Sequence, residues 1–185
     1  MIPATHDFTA TFQQGLISQI DPATHHAKVI LPALDDFETA WLPVLTAFSG
    51  GNKFYAMPDI DELVAVILDA RGEYGYILGA IYNDIDTTPT SSPDMYIKQF
   101  KNGTQISHDR SSGNVLVKTS GMVTVQASRV VIVGDSITLN GATTINGTAN
   151  IKGTLTTTGD IIGAGKSLSK HTHRGDSGGQ TSAPQ

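Results

Sequence analysis

Cysteine is absent from the 185 residues, which excludes a disulfide framework, a thiol nucleophile and a thiolate metal site. Charge is scarce as well: Asp, Glu, Lys and Arg together make up 16% of the chain, with 12 basic residues against 17 acidic ones and a net charge of -5. A chain with that balance and a pI near 5.5 repels a phosphate backbone, so nucleic acid is not expected as a partner. No apolar run approaches the roughly 20 residues of a membrane helix, and Met1 to Ala10 contains Asp7 and no apolar stretch. A soluble chain without a secretion signal is the expectation. Aromatic residues are few and unevenly placed. All twelve, from Phe8 to Phe100, lie in the first 100 residues, whereas 13 of the 19 glycines follow Lys101.

The two halves must therefore be built differently, and 19.5 kDa leaves room for one full domain or two small ones. In the first half, Trp41, Phe48, Phe54, Tyr55, Tyr74 and Tyr76 are expected to fill a core. Gly15 to Ile20 and His26 to Leu31 read as two strands joined by the turn Asp21-Pro22-Ala23-Thr24, a hairpin. Thr39 to Leu45, Leu63 to Leu68 and Tyr74 to Ile81 supply three more strands. Five short strands in so short a stretch suit a small barrel of the OB type over residues 1–82. The Asp/Thr/Ser/Pro-rich segment that follows reads as a connector, residues 83–100.

Beyond residue 101 the aromatics are gone and parity takes over. From Val115 to Ile161 the odd positions carry Val117, Val123, Val125, Val131, Val133, Ile137, Leu139, Ile145, Ile151 and Leu155, while the even positions are mostly Lys, Ser, Thr, Asn and Gln. Period two without a register slip means extended chain with one apolar face, not helix. Leu116, Val130, Ile132 and Ile162 on the even side and Arg129 and Asp135 on the odd side are local exceptions. Gly141, Gly147, Gly153, Gly159 and Gly165 stand six apart, the internal repeat of a β-helix that turns a corner at each glycine. A single-chain hexapeptide helix needs about three hexads per coil, so these few hexads cannot cover their own apolar face. Several identical chains winding together, with the odd face on a shared axis, solve that problem over residues 101–165.

The end of the chain, residues 166–185, places His171-Thr172-His173 before a Gly/Ser-rich tail. Side chains at i and i+2 of an extended chain point the same way, here on the odd phase. On a threefold axis two imidazoles from each of three chains give six nitrogens, a shell suited to iron(II), nickel or cobalt rather than to four-coordinate structural zinc.

These segments together resemble a known family, the central spike proteins of contractile phage tails, or baseplate assembly protein V family of the Mu and P2 type. The resemblance rests on Trp41-Leu42-Pro43-Val44, on Pro58 with Glu62-Leu63-Val64, on Leu78-Gly79-Ala80-Ile81-Tyr82-Asn83, on the Gly/Thr-rich repeat and, most specifically, on His171-Thr172-His173. At Asp61 similar sequences often carry Gly. The resemblance implies an all-β chain: an N-terminal OB-fold barrel, an intertwined trimeric triple-stranded β-helix and a metal-binding apex. It implies one iron ion per trimer held by His171 and His173 of three chains. The implied role is a non-enzymatic, membrane-piercing spike that enters the host outer membrane on sheath contraction, attached by its OB end to tail hub, baseplate and tube proteins. Such a protein is made in the host cytoplasm and resides in the virion. A spike of a related injection system or pyocin is the alternative within the same class.

Other candidates carry less. His25 and His26 are adjacent at a strand start, where neighbouring side chains face opposite ways, and read as an exposed hairpin; His6 and His108 are isolated. Asp35, Asp36, Glu38, Asp59, Asp61 and Glu62 suggest a carboxylate pair or a calcium site, but all flank strands and read as solvated loop charges. Arg174-Gly175-Asp176 matches a three-letter integrin-binding motif and is assigned nothing. A hexapeptide acyltransferase needs several full coils and a histidine at a corner, and no histidine lies between Asp109 and Lys170. An OB module for nucleic acid or sugar needs a basic or aromatic-interleaved strand face that is missing.

Overall fold

The structure, a computed structural model, describes residues 11–69, 71–72 and 74–183. Residues 1–10 of the expected barrel, with His6 and Phe8, and the last two residues of the tail lie outside the described residues. The chain is all-β, and it divides into two compact units, Met1–Val125 and Gln126–Gln185. No helix among the described residues is long and apolar enough to cross a membrane.

The first unit opens with β1 (Phe12–Asp21) and β2 (His26–Leu31), an antiparallel hairpin whose turn is held by Asp21, which accepts from the Ala23 N–H and the Thr24 hydroxyl. A bulge near Ser18 interrupts the pairing. The short strands β3 (Phe37–Glu38) and β4 (Leu42–Pro43) both pair with β2, and β5 (Leu63–Leu68) and β6 (Gly75–Ala80) continue the sheet beyond β1. Just after β4, Val44 bridges Ile77 of β6, and the Leu45 N–H donates to the Ile77 carbonyl at 2.9 Å. The two ends of the six-stranded sheet thus meet.

Where one strand was expected over Thr39 to Leu45, only β4 at Leu42–Pro43 forms, with β3 at Phe37–Glu38 ending just before the stretch. Thr39 is the reason: its hydroxyl accepts from the Val29 N–H at 3.1 Å, taking a position that a backbone carbonyl holds in a continuous ladder, and itself donates to the Ala40 carbonyl.

Alternation selects the interior. Ile17 of β1, Ala27, Val29 and Leu31 of β2, Leu42 of β4, Val64, Val66 and Leu68 of β5 and Ile77 of β6 are the buried hydrophobic residues. Each large member of that set contributes roughly 1.5–3 kcal/mol by leaving water. The expected aromatic core is not found. Every described aromatic residue is exposed, Trp41 and Phe100 least and Tyr74 most. A closed sheet of such short strands encloses a narrow interior that β-branched and leucine side chains fill, so the rings remain outside.

The same unit carries a second antiparallel sheet, β7 (Met95–Gln99), β8 (Gln105–Asp109) and β9 (Val115–Lys118). β7 thus lies inside the Asp/Thr/Ser/Pro-rich stretch 83–100. Lys98 of β7 stands 5.2 Å from the ring centres of both Phe54 and Phe100, and Lys101 pairs with Asp59 at 3.3 Å. These contacts link the two sheets.

Residues 119–161, all described, take part in no strand, and their large apolar residues are exposed: Val123, Val133, Leu139 and Ile151 are each more than half accessible. In the second unit pairing resumes at β10 (Ile162–Gly163) and β11 (Lys166–Ser167), joined through Ala164 at φ 48° and Gly165 at φ 74°. Two consecutive left-handed residues are what a tight two-residue hairpin requires.

Candidate metal site at the chain terminus

The β10–β11 hairpin sets the direction of the terminal segment. The Leu168 N–H donates to the Ile161 carbonyl at 2.8 Å, extending the hairpin by one bond, and the chain then tightens so that the His171 N–H donates to the Ser167 carbonyl at 3.1 Å. Past His173 the chain forms a second small hairpin. The Thr181 N–H donates to the His173 carbonyl and the His173 N–H to the Thr181 hydroxyl, both at 2.9 Å, with Arg174 bridged to Gln180 and the turn closed by Gly175, Gly178 and Gly179. Arg174-Gly175-Asp176 therefore lies at this turn.

The histidine pair lies side by side after the turn. The rings of His171 and His173 lie 5.0 Å apart, centre to centre, at an interplanar angle of 83°. His171 is half-buried and His173 exposed, and both line an open groove with Ile161 and Leu168. His171 Nδ1 is 2.9 Å from the Leu168 carbonyl oxygen. A carbonyl only accepts, so Nδ1 carries the proton and Nε2 keeps the lone pair that a metal needs. Backbone-fixed tautomers of this kind are the usual support of metal-bound histidine.

The donor set fits a divalent transition metal. Two imidazoles bound side by side at about 2.1 Å would have their ring centres roughly 4.5 Å apart, close to the observed separation. Among the described residues no group of three or more His, Cys, Asp or Glu side chains converges, so one chain offers two nitrogens at this place.

The remaining candidates are occupied elsewhere. His25 Nδ1 lies 3.1 Å from the Val44 carbonyl oxygen and Nε2 3.3 Å from that of Ala56, with the ring 5.2 Å from Tyr55, while His26 Nδ1 lies 2.7 Å from the Thr24 carbonyl oxygen. Glu38 accepts from Ser18, Gln19 and Lys28, and the Ser18 hydroxyl foremost, with Lys28, lowers its pKa. Glu62 accepts from the Asp59 N–H at 2.8 Å. Asp35 and Asp36 occupy left-handed conformations. The carboxylates thus serve turns and ion pairs, and Glu38 does so from within β3 rather than from a flanking loop. Sequence reasoning missed Asp160. It accepts from the Ser169 N–H at 3.0 Å, and the Ser167 hydroxyl foremost, then the Ser169 and Ile161 backbone, hold its pKa below the usual value. Nothing in its sequence context marks it, because its partners are seven and nine residues away.

No family model matches the chain. A Spike protein of Escherichia phage P2 is 29% identical over 171 residues, covering 79% of this chain and 80% of the phage protein. The chain resembles the P2-like tail spikes. The alignment is long enough to embrace both halves of the chain rather than the barrel region alone.

Proposed function

We propose that this chain is the central spike of a contractile phage tail: a homotrimer whose narrow C-terminal end leads through the host outer membrane when the sheath contracts. The observation that carries the reading is the apolar row from Val115 to Ile161, which a single chain leaves in water. A row of that length is covered when copies wind together, and three strands of an intertwined β-helix turn each odd face to the common axis. The P2 relative's name, Spike protein, matches such a shaft. The role is structural rather than enzymatic.

The six-stranded N-terminal sheet, closed through Val44 and Ile77, is read as an OB-fold barrel and is the broad end that docks on hub, tube and baseplate proteins. Load along the axis favours a wide base and a narrow point, so Gly/Thr hexads lead. At the tip, His171 and His173 of three chains would hold one iron ion through six nitrogens. The ion supplies a crosslink between three chain ends, and a shell filled by protein ligands leaves no open position for substrate. The hairpin 173–181, with three glycines among its nine residues, has little side chain to pack and gains most from such a tie.

The test is the mass of the native particle. Sedimentation should give about 58 kDa, three chains of 19.5 kDa, because folding of the shaft and assembly are one event. A folded monomer at micromolar concentration overturns the reading. A chain lacking residues 1–82 should still form trimers and fail to enter baseplates.

A further inference from the structure

We propose that Asp160 is the positioning residue of the terminal histidine pair. Asp160 lies just before β10 and reaches across the hairpin to the strand that leads to His171. Its carboxylate accepts from the Ser169 N–H at 3.0 Å, and the Ser167 hydroxyl, which lies 3.3 Å from that of Ser169, is foremost among the groups that lower its pKa. Ser167 then works in both directions: its hydroxyl oxygen accepts from the Lys170 N–H at 2.9 Å, and its carbonyl accepts from the His171 N–H at 3.1 Å. Leu168, between the two serines, gives its carbonyl to His171 Nδ1 at 2.9 Å. Both bonds that orient His171, one to its backbone from Ser167 and one to its ring from Leu168, therefore come from the short turn that Asp160 anchors at Ser169.

This network has the properties a ligand support needs. No residue of the turn 167–171 is fully buried, so hydrogen bonds rather than a packed core must define it. A carboxylate is the strongest acceptor available for an N–H and a hydroxyl together. Without it the Leu168 peptide is held on one side only, by its N–H bond to the Ile161 carbonyl, so the carbonyl that fixes the His171 ring gains freedom and Nε2 is presented in a wider spread of directions. The inference rests on the reading of His171 and His173 as metal ligands, and it adds a residue that touches no metal.

The experiment measures cobalt(II) binding by the full-length protein, using chelator competition for affinity, the visible absorption of bound cobalt for coordination, and sedimentation for assembly. Asp160→Ala should weaken cobalt binding by about tenfold to a hundredfold, the usual cost of losing an outer-shell partner, while the particle mass stays that of wild type. Asp160→Asn keeps an acceptor oxygen and should recover most of the affinity. Ser167→Ala, which removes the hydroxyl and with it the acceptor of the Lys170 N–H but leaves the Ser169 N–H bond to Asp160, should fall between them and serves where Asp160→Ala does not assemble. Wild-type affinity and an unchanged cobalt spectrum in Asp160→Ala or in Ser167→Ala would overturn the proposal while leaving the histidine site intact. If wild type binds no more cobalt than the variant carrying both His171→Ala and His173→Ala, the metal reading itself fails and this inference with it.

Discussion

Thr39 and the backbone of Val29 exchange two hydrogen bonds, with the Val29 N–H donating to Thr39 Oγ1 at 3.1 Å and the Thr39 N–H donating to the Val29 carbonyl at 2.9 Å. Both residues are buried, so the pair ties β2 to the segment between β3 and β4, where the strand is interrupted. Thr39→Val keeps the shape and leaves the Val29 N–H without its acceptor. The expected loss is about 1–3 kcal/mol, read as a lower urea midpoint of the N-terminal unit, whereas Thr39→Ser should retain most of the stability. Equal midpoints for wild type and Thr39→Val would show that the hydroxyl is dispensable.

Asp61 sits at φ 68°, in the left-handed region where side chains beyond glycine, asparagine and aspartate are strained. Its N–H donates to the Ile17 carbonyl at 2.8 Å, tying the turn to β1. Asp61→Gly should leave the thermal midpoint unchanged or raise it slightly, and Asp61→Val should lower stability by about 1–3 kcal/mol. A glycine variant less stable than the valine variant would contradict this account.

Asp109 caps the β8–β9 turn, accepting from the Ser112 and Ser111 hydroxyls and the Ser111 N–H. The Ser112 hydroxyl foremost, then that of Ser111, lowers its pKa from 3.8 to about 2. A folded-state value below the unfolded one means that this contribution is fully present above pH 3.8 and is lost as the pH falls towards 2. Amide exchange at Ser111 and Gly113 should accelerate across that window, and Asp109→Asn should flatten the response. An unchanged acid response in Asp109→Asn would remove Asp109 as its source.

Ile151 is 58% exposed in the single chain. An isolated chain should tolerate Ile151→Asp within about 0.5 kcal/mol, as at other surface positions. In a wound trimer the same change places three carboxylates near one axis, so the expected result is loss of the trimer. Retention of the native mass would exclude an odd-face interface.

Joint replacement of His171 and His173 by alanine should abolish metal binding while the particle stays trimeric, measured by elemental analysis beside sedimentation. Because imidazole must be neutral to bind, wild-type metal content should also fall on acidification. One metal per chain, or an undiminished content in the double variant, would rule out a shared site.

Much of this was legible before any coordinates. Leu63–Leu68 is an unbroken apolar run rich in β-branched residues and bounded by turn residues, so the strand is recognisable from length and composition. The i, i+2 spacing of His171 and His173 likewise sufficed to bring two imidazoles onto one side. Both features depend on neighbours in sequence. The aromatic residues misled because bulk implies burial only where the interior is wide enough, and interior width is set by how many short strands close the sheet. Thr39 broke an expected strand through a hydroxyl bond to a residue ten positions earlier, and the cost of that interruption appears nowhere in β-propensity.

The sequence by itself determined the local periods: the two-residue alternation of the strands and of the row beyond Val115, the six-residue spacing of glycine, and the histidine pair. Those follow from backbone geometry that every residue shares. Tertiary structure alone decided that Val44 meets Ile77 to close the first sheet, that the aromatic rings stay outside it, and that Asp160 reaches Ser167 and Ser169 beneath His171. Each of these joins groups whose separation along the chain carries no periodic mark, and hydrogen-bond geometry and interior volume select them only after the chain has folded.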